Sequence, residues 1–67
     1  MICVKVNGRQ ETLPENYTIA QLLSQKELDA SYVVVQRNLE IIDRSLLAET
    51  RLNEGDQLEI VKFLGGG

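Results

Sequence analysis

The chain has 67 residues, of which 43% are hydrophobic and 25% are charged, and its formal net charge is −3 at pH 7. This length allows one small domain with a modest core, and it leaves little room for an enclosed active-site cleft. The acidic balance argues against a nucleic acid partner, because phosphate neutralisation requires clustered lysine and arginine. No apolar run reaches the roughly 18 residues of a membrane span, so no membrane association is expected.

The side chains that most often perform catalysis or bind metals are scarce. The sequence has no histidine and one cysteine, Cys3. Cysteine–histidine catalysis and zinc binding therefore lack the necessary residues, and we predict a protein that is not an enzyme and holds no metal. Cys3 cannot form an internal disulfide, which favours a cytoplasmic location. Because Cys3 lies within a predicted strand, we interpret it as a small packed or surface side chain.

The first predicted unit is a β-hairpin. Residues 1–6 alternate between apolar and other side chains, which is typical of a half-buried strand. Asn7 and Gly8 form a strong two-residue turn signal, and residues 9–13 then return as the second strand. A two-residue turn predicts three pairs on one face: Val6 with Arg9, Val4 with Glu11, and Ile2 with Leu13. Only the last pair is wholly apolar, which leaves a bulge near Arg9 as an alternative.

A helix follows the hairpin. Thr18 and Gln21 have the spacing of a capping box, in which each residue binds the other's backbone N–H. One apolar helix face is formed by Ile19, Leu22 and Leu23. We predict a helix over residues 19–27, with Leu28 folding back onto the core.

The middle of the chain predicts short elements. Residues 32–36 contain three consecutive valines, which predicts a strand buried on much of both faces. The remaining elements are a turn at 37–40, a strand at 41–42, a helical turn at 44–47 capped by Asp43, a core position at Leu52, and a polar turn at 53–56.

The last predicted strand, residues 57–64, leads directly into three glycines. Leu58 and Ile60 have the parity of a core face, so Val61 and Phe63 would point outward as a candidate docking patch for a partner. The opposite parity, with Phe63 in the core, is an open alternative. The order of elements predicts an α+β domain over residues 1–64, with one main helix packed on one face of a mixed, twisted sheet. The last strand is expected beside the first, in the middle of the sheet.

The terminal glycines, Gly65, Gly66 and Gly67, suggest a function of their own. Without a Cβ atom they form a flexible tail that is thin enough to enter a channel closed to other residues. The tail could present its terminal carboxylate to another protein's active site. The alternative interpretation is a linker remnant or a frayed end.

Six of the segments described above, taken in their order along the chain, resemble the ubiquitin-like, β-grasp sulfur carriers of thiamine biosynthesis, the ThiS family. One departure is Leu39, where the family often has glycine after the asparagine. The resemblance depends on the order of six segments: residues 6–8, 18–23, 33–38, 41–45, 52–56 and 61–67.

The resemblance implies a mechanism in which Gly67 is the modified residue. A ubiquitin-activating-like adenylyltransferase would convert its carboxylate to a transient acyl-adenylate. A cysteine desulfurase, or another persulfide donor, would then supply the sulfur of a thiocarboxylate for thiazole synthase. Gly65 and Gly66 would be required for activation, and the free carrier is expected to be a monomer without a bound cofactor. The alternatives are a related carrier for molybdopterin or another sulfur-containing cofactor, and a ubiquitin-like binding module that carries no sulfur.

Overall fold

The structure, a computed structural model, describes residues 1–63. Leu64 and the predicted glycine tail, Gly65 to Gly67, lie outside the described residues, as does the end of the predicted domain at residue 64. The described part contains one α-helix, α1 (Ile19–Gln25), and two 3₁₀ turns, Ala30–Tyr32 and Arg44–Leu46. Its strands are β1 (Ile2–Val6), β2 (Arg9–Leu13), β3 (Val33–Arg37), β4 (Glu40–Ile41) and β5 (Gln57–Lys62).

The strands form a single mixed sheet in the order β2-β1-β5-β3-β4. The β1–β2, β3–β4 and β3–β5 pairs are antiparallel, whereas β1 and β5 are parallel. The last strand therefore lies beside the first in the centre of the sheet, as predicted. One helix packed on one face of this sheet is the β-grasp arrangement, and the predicted α+β class is confirmed.

The core fills the space between α1 and one face of the sheet. Leu22 and Leu23 of the helix pack there with alternate residues of the strands, because side chains of a strand point to opposite faces in turn. The buried hydrophobic residues are Ile2, Val4, Val6, Leu13, Ile19, Leu22, Leu23, Val33, Val35, Leu47, Leu52, Leu58 and Ile60.

The β1–β2 hairpin has the predicted register, which pairs Val6 with Arg9 and Ile2 with Leu13. The alternative, a bulge near Arg9, is wrong because every residue of the two strands is paired in sequence. A polar residue is accommodated on the core side of β2 because Glu11 reaches Lys26, beyond the end of α1. The Lys26 Nζ and Glu11 Oε2 atoms are 2.6 Å apart.

Helix α1 begins at the predicted capping box. The Thr18 hydroxyl accepts a hydrogen bond from the Gln21 N–H, and the Gln21 side chain accepts one from the Thr18 N–H. The helix ends at Gln25, two residues before the predicted end, because Glu27 adopts a left-handed conformation with φ of 58°. This turn directs Leu28 back against the core, as predicted.

The prediction for the valine-rich strand is wrong in two respects. Tyr32 belongs to a 3₁₀ turn capped by Asp29, so the strand runs from Val33 to Arg37, one residue later at each end than predicted. The strand is also buried on one face only, since Val33 and Val35 lie in the core while Val34 is 38% exposed. The reason is that α1 covers one face of the sheet and no described element covers the other.

The segment between β4 and β5 packs against the start of α1. Strand β4 begins and ends one residue earlier than predicted, at Glu40–Ile41. As predicted, Asp43 caps the following turn by accepting the Ser45 N–H, and Leu52 is buried.

None of the helices formed by residues 1–63 has the length and hydropathy that a membrane span requires.

Candidate functional site

Strand β5 is the element that carries the chain towards its carboxyl end. It lies between β1 and β3 and ends at Lys62, two residues before the predicted end. The Phe63 N–H still donates to the Tyr32 carbonyl at 2.9 Å, so the backbone is held to its neighbour through Phe63. The position and direction of the chain at residue 63 are therefore set by the centre of the sheet.

Asn7 holds β5 from the other side. Strand β1 ends at Val6, and the Asn7 backbone N–H donates to the Leu58 carbonyl at 2.9 Å. The Asn7 side chain then binds both backbone groups of Ile60. Its Oδ1 accepts the Ile60 N–H at 2.7 Å, and its Nδ2 donates to the Ile60 carbonyl at 3.1 Å. A side-chain amide thus replaces the next residue of β1.

A buried carboxylate anchors the start of β5. Asp56 accepts hydrogen bonds from the Asn38 side-chain amide at 3.1 Å and from the Asn53 N–H at 2.8 Å. Asn38 also accepts the Gln57 N–H at 2.9 Å through its Oδ1 atom. The preceding residue, Gly55, has a φ of +84°, which a residue with a side chain rarely adopts. These bonds fix the point at which the chain enters the strand.

The exposed face of β5 carries apolar side chains next to its carboxyl end. Val61 is 57% exposed and Phe63 is 40% exposed, whereas Leu58 and Ile60 are buried. The prediction that Val61 and Phe63 point outward is therefore correct, and the alternative with Phe63 in the core is wrong. We call Val34, Val61 and Phe63 the outer patch. Val34 of β3 lies opposite Val61 and was missed at the sequence level, because that strand was expected to be buried on both faces.

The titratable side chains of the described residues serve local structure. Residues 1–63 contain no group of three or more side chains placed to hold a metal ion. Cys3 is a half-buried free thiol. Hydrogen bonds from the Ser45 N–H and hydroxyl lower the pKa of Asp43, and this belongs to a turn cap rather than to reactive chemistry. The candidate site is thus the end of β5 with the outer patch, leading to Gly65, Gly66 and Gly67.

Comparison with known sequences decides the family. The ThiS family profile matches residues 4–67, which includes the whole glycine tail. The chain belongs to the ThiS family. The departure at Leu39 lies in the β3–β4 turn, 92% exposed and with a φ of 73°, where glycine would be unstrained.

Members and relatives of the ThiS family match the chain over most of its length. It is 44% identical over 65 residues to the sulfur carrier protein ThiS of Bacillus subtilis, a match that covers 96% of this chain and 98% of that protein. The crystal structure of the thiamine biosynthesis protein ThiS from Geobacter metallireducens superposes with a TM-score of 0.83 and 33% identity. That superposition covers 98% of this chain and 100% of the other.

A second kind of relative is a much longer protein. The chain is 42% identical over 62 residues to a thiazole synthase of Paramagnetospirillum magneticum. The match covers 92% of this chain but 19% of the thiazole synthase, so the chain spans about a fifth of that relative. That thiazole synthase therefore contains a segment similar to this chain.

Proposed function

We propose that this protein is the sulfur carrier for thiazole formation in thiamine biosynthesis and that the Gly67 carboxylate carries the sulfur. The observation that supports this most strongly is that the ThiS family match continues through Gly67, directly beyond a strand held in the centre of the sheet. A rigid domain that ends in three glycines suits the delivery of a carboxylate into a partner's active site.

The carboxylate must first be activated. An ionised α-carboxylate, with a pKa of about 3.3–3.7, is a poor electrophile at neutral pH. In the proposed first step, a carboxylate oxygen of Gly67 attacks the α-phosphorus of ATP in an adenylyltransferase, and pyrophosphate leaves. The acyl-adenylate that forms has AMP as a good leaving group.

Sulfur then replaces oxygen in two steps. The terminal sulfur of a persulfide, formed by a cysteine desulfurase or another donor, attacks the acyl carbon and AMP leaves. The product is an acyl disulfide with the donor. A second thiol attacks the donor's sulfur, forms a disulfide with it, and releases the Gly67 thiocarboxylate. Thiazole synthase would be the acceptor of this sulfur.

The carrier itself contributes binding and presentation rather than catalysis. The outer patch is the proposed contact with partner proteins, since three exposed apolar side chains lie on the face that no described element covers. Gly65 and Gly66 keep the tail narrow enough for the activating site to close around it. The proposal includes no resident metal or cofactor and a monomeric free carrier.

The identity of one partner has independent support. The thiazole synthase of Paramagnetospirillum magneticum contains a segment similar to this chain. Fusion of two domains in one polypeptide keeps them at a high local concentration, which benefits domains that must meet. Thiazole synthase is therefore the acceptor that we favour over an enzyme of molybdopterin synthesis.

Intact mass spectrometry tests the proposed function. The purified protein is incubated with ATP, its adenylyltransferase, a cysteine desulfurase, cysteine and a thiol reductant. We expect a mass gain equal to the exchange of one oxygen atom for sulfur, located on Gly67 by fragmentation. No gain in the presence of active partners would refute the carrier function and favour a plain ubiquitin-like binding module.

A further inference from the structure

The parallel pairing between β1 and β5 is short and leaves the end of β5 unpaired on one side. Its paired residues are Lys5 with Gln57 and Val6 with Leu58. The chain then turns away at Asn7 and Gly8 into β2. The Asn7 side chain extends the pairing to Ile60, and β5 continues to Lys62.

The alternation of backbone hydrogen bonds along β5 shows where the N–H and C=O groups of Lys62 point. Residues 57 and 63 bond to the β3 side, through Gln57 to Asn38 and Phe63 to Tyr32. Leu58 and Ile60 bond to the β1 side, through Asn7. Because successive residues of a strand bond to opposite sides, the N–H and C=O of Lys62 point to the side where β1 has ended. Lys62 faces Val33 of β3 in a pair that, by the same alternation, exchanges no backbone hydrogen bonds. Outside the strand ladders of residues 1–63, no backbone hydrogen bond involves either Lys62 group.

A groove lies beside this open edge. Its volume is about 370 Å³, and it runs between the β1–β2 turn, the end of α1 and the end of β5. Three cationic side chains line it, from Arg9, Lys26 and Lys62. Its one carboxylate, Glu11, is engaged by Lys26. The groove is therefore positively charged on a protein whose net charge is −3.

We propose that an extended, acidic segment of thiazole synthase pairs with this edge of β5. Its backbone bonds to the N–H and C=O of Lys62, and its carboxylates lie near Arg9 and Lys62. Addition of a strand to an exposed edge obtains affinity from main-chain hydrogen bonds and specificity from adjoining side-chain sites. This proposal rests on the proposed function, from which the choice of partner comes.

The placement of the edge suits such a partner. Lys62 is five residues before Gly67, so a strand bound there would contact the chain shortly before the glycines. The contact would bring the acceptor enzyme to the segment that carries the sulfur without using the outer patch, which lies on the other parity of β5. The two surfaces could then contact different parts of one partner.

Amide hydrogen exchange followed by NMR tests the pairing directly. In the free protein the Lys62 amide is expected to exchange quickly, while the Ile60 and Phe63 amides are protected by Asn7 and Tyr32. Saturation with the thiazole synthase of the same organism should slow the Lys62 amide at least about 10-fold, as expected for an amide that gains a hydrogen bond. A Lys62 amide that stays fast in the saturated complex would overturn the proposal.

Two substitutions of Lys62 distinguish the contribution of its backbone N–H from the contribution of its charged side chain. Lys62→Pro removes the N–H, and Lys62→Ala keeps it, while both remove the ammonium group. We expect Lys62→Pro to bind thiazole synthase about 10-fold more weakly than Lys62→Ala, the loss expected for one hydrogen bond. Equal binding of the two folded variants would contradict the strand pairing.

The sulfur-loading assay distinguishes failure of this proposal from failure of the carrier function. If wild-type protein gains sulfur while Lys62→Pro and Lys62→Ala bind alike, the strand pairing alone is wrong. The charge component is tested with Arg9→Glu, which should weaken binding and reduce its salt dependence. Unchanged affinity and salt dependence in Arg9→Glu would contradict the acidic character of the segment.

Discussion

Val34 and Val61 lie directly opposite each other on the face of the sheet that α1 does not cover. They are 38% and 57% exposed, so the pair contributes little to the core while keeping apolar surface in water. Phe63 continues this surface beyond the end of β5 at 40% exposure. These three exposed apolar side chains, close to the end of β5, are the basis of the proposal that this face contacts a partner.

This arrangement predicts a difference between binding and stability for Phe63→Ser. We expect the variant to bind the adenylyltransferase or thiazole synthase about 10-fold more weakly, since aromatic side chains often dominate interfaces. Its free energy of unfolding should change by less than about 1 kcal/mol, because the ring is substantially exposed. Calorimetric titration and urea denaturation measure the two effects.

Ile60→Ser is the matched control for the opposite face of β5. Ile60 is 8% exposed, so this variant should lose more than about 2 kcal/mol of stability. A similar loss in Phe63→Ser would place the ring in the core and remove the outer patch from the docking proposal.

The amide of Asn7 predicts a stability effect across 53 residues of sequence. Asn7→Asp keeps the size of the side chain and its ability to accept the Ile60 N–H, but it loses the donor to the Ile60 carbonyl. We expect a loss of about 1–3 kcal/mol near neutral pH, because a carboxylate oxygen would face an unpaired carbonyl. Denaturant titration measures it, and unchanged stability would mean that the bond from Asn7 Nδ2 to the Ile60 carbonyl contributes nothing.

Leu39 predicts a stabilising substitution. The left-handed conformation, with a φ of 73°, costs a residue with a Cβ atom about 1–2 kcal/mol, and its 92% exposed side chain has little packing to offset this. Leu39→Gly should stabilise the fold by about 0.5–1 kcal/mol after the greater freedom of glycine in the unfolded chain is subtracted. Leu39→Ala retains the strain and should give no such gain. Thermal denaturation of both variants measures these effects. If Leu39→Ala stabilises the protein as much as Leu39→Gly, backbone strain at Leu39 is not the cause.

The tail variants predict loss of chemistry without loss of fold. Deletion of Gly67 and the substitution Gly66→Val should each leave the thermal denaturation curve unchanged, because glycine has no side chain to bury and the described core is formed by residues 2–60. Deletion of Gly67 should abolish thiocarboxylate formation, and Gly66→Val should block adenylation by its bulk. Normal sulfur loading in either variant, measured by intact mass, would contradict the assigned role of that residue.

The lowered pKa of Asp43 predicts that Asp43→Asn changes how the stability of the fold depends on acid pH. The Ser45 N–H and hydroxyl hold its pKa below the ordinary value of 3.8 in the folded protein. The carboxylate therefore stabilises the fold above that ordinary pKa, and the contribution is lost as the pH falls through the lower folded pKa. Asp43→Asn keeps an acceptor for the Ser45 N–H at every pH.

The measurement for Asp43 is the free energy of unfolding between pH 7 and about pH 2. Wild-type protein should lose more stability over the acidic part of this range than Asp43→Asn. Parallel curves for the two proteins would show that the pKa of Asp43 does not differ between the folded and unfolded states.

Much of the fold could be predicted because the relevant signals are local. The capping box of Thr18 and Gln21 involves residues three positions apart, and the Asn7–Gly8 turn sets the β1–β2 register through neighbouring residues. The parity of Leu58 and Ile60 likewise follows from alternation along one strand. The exposure of Val34 could not be predicted, because three valines in a row fit a strand covered on both faces equally well.

By itself, the sequence determined the order of the strands and the main helix, the position of the Asn7–Gly8 turn, the start of the helix, and the resemblance that the ThiS family match confirmed. Each depends on residues close together in the chain or on the order of segments. Only the tertiary structure decided that Asn7 binds Ile60, that Asp56 anchors the entry to β5, and that Val34 joins Val61 and Phe63 on an uncovered face. These contacts join residues distant in sequence, and they arise only when the hydrophobic core has brought the strands together.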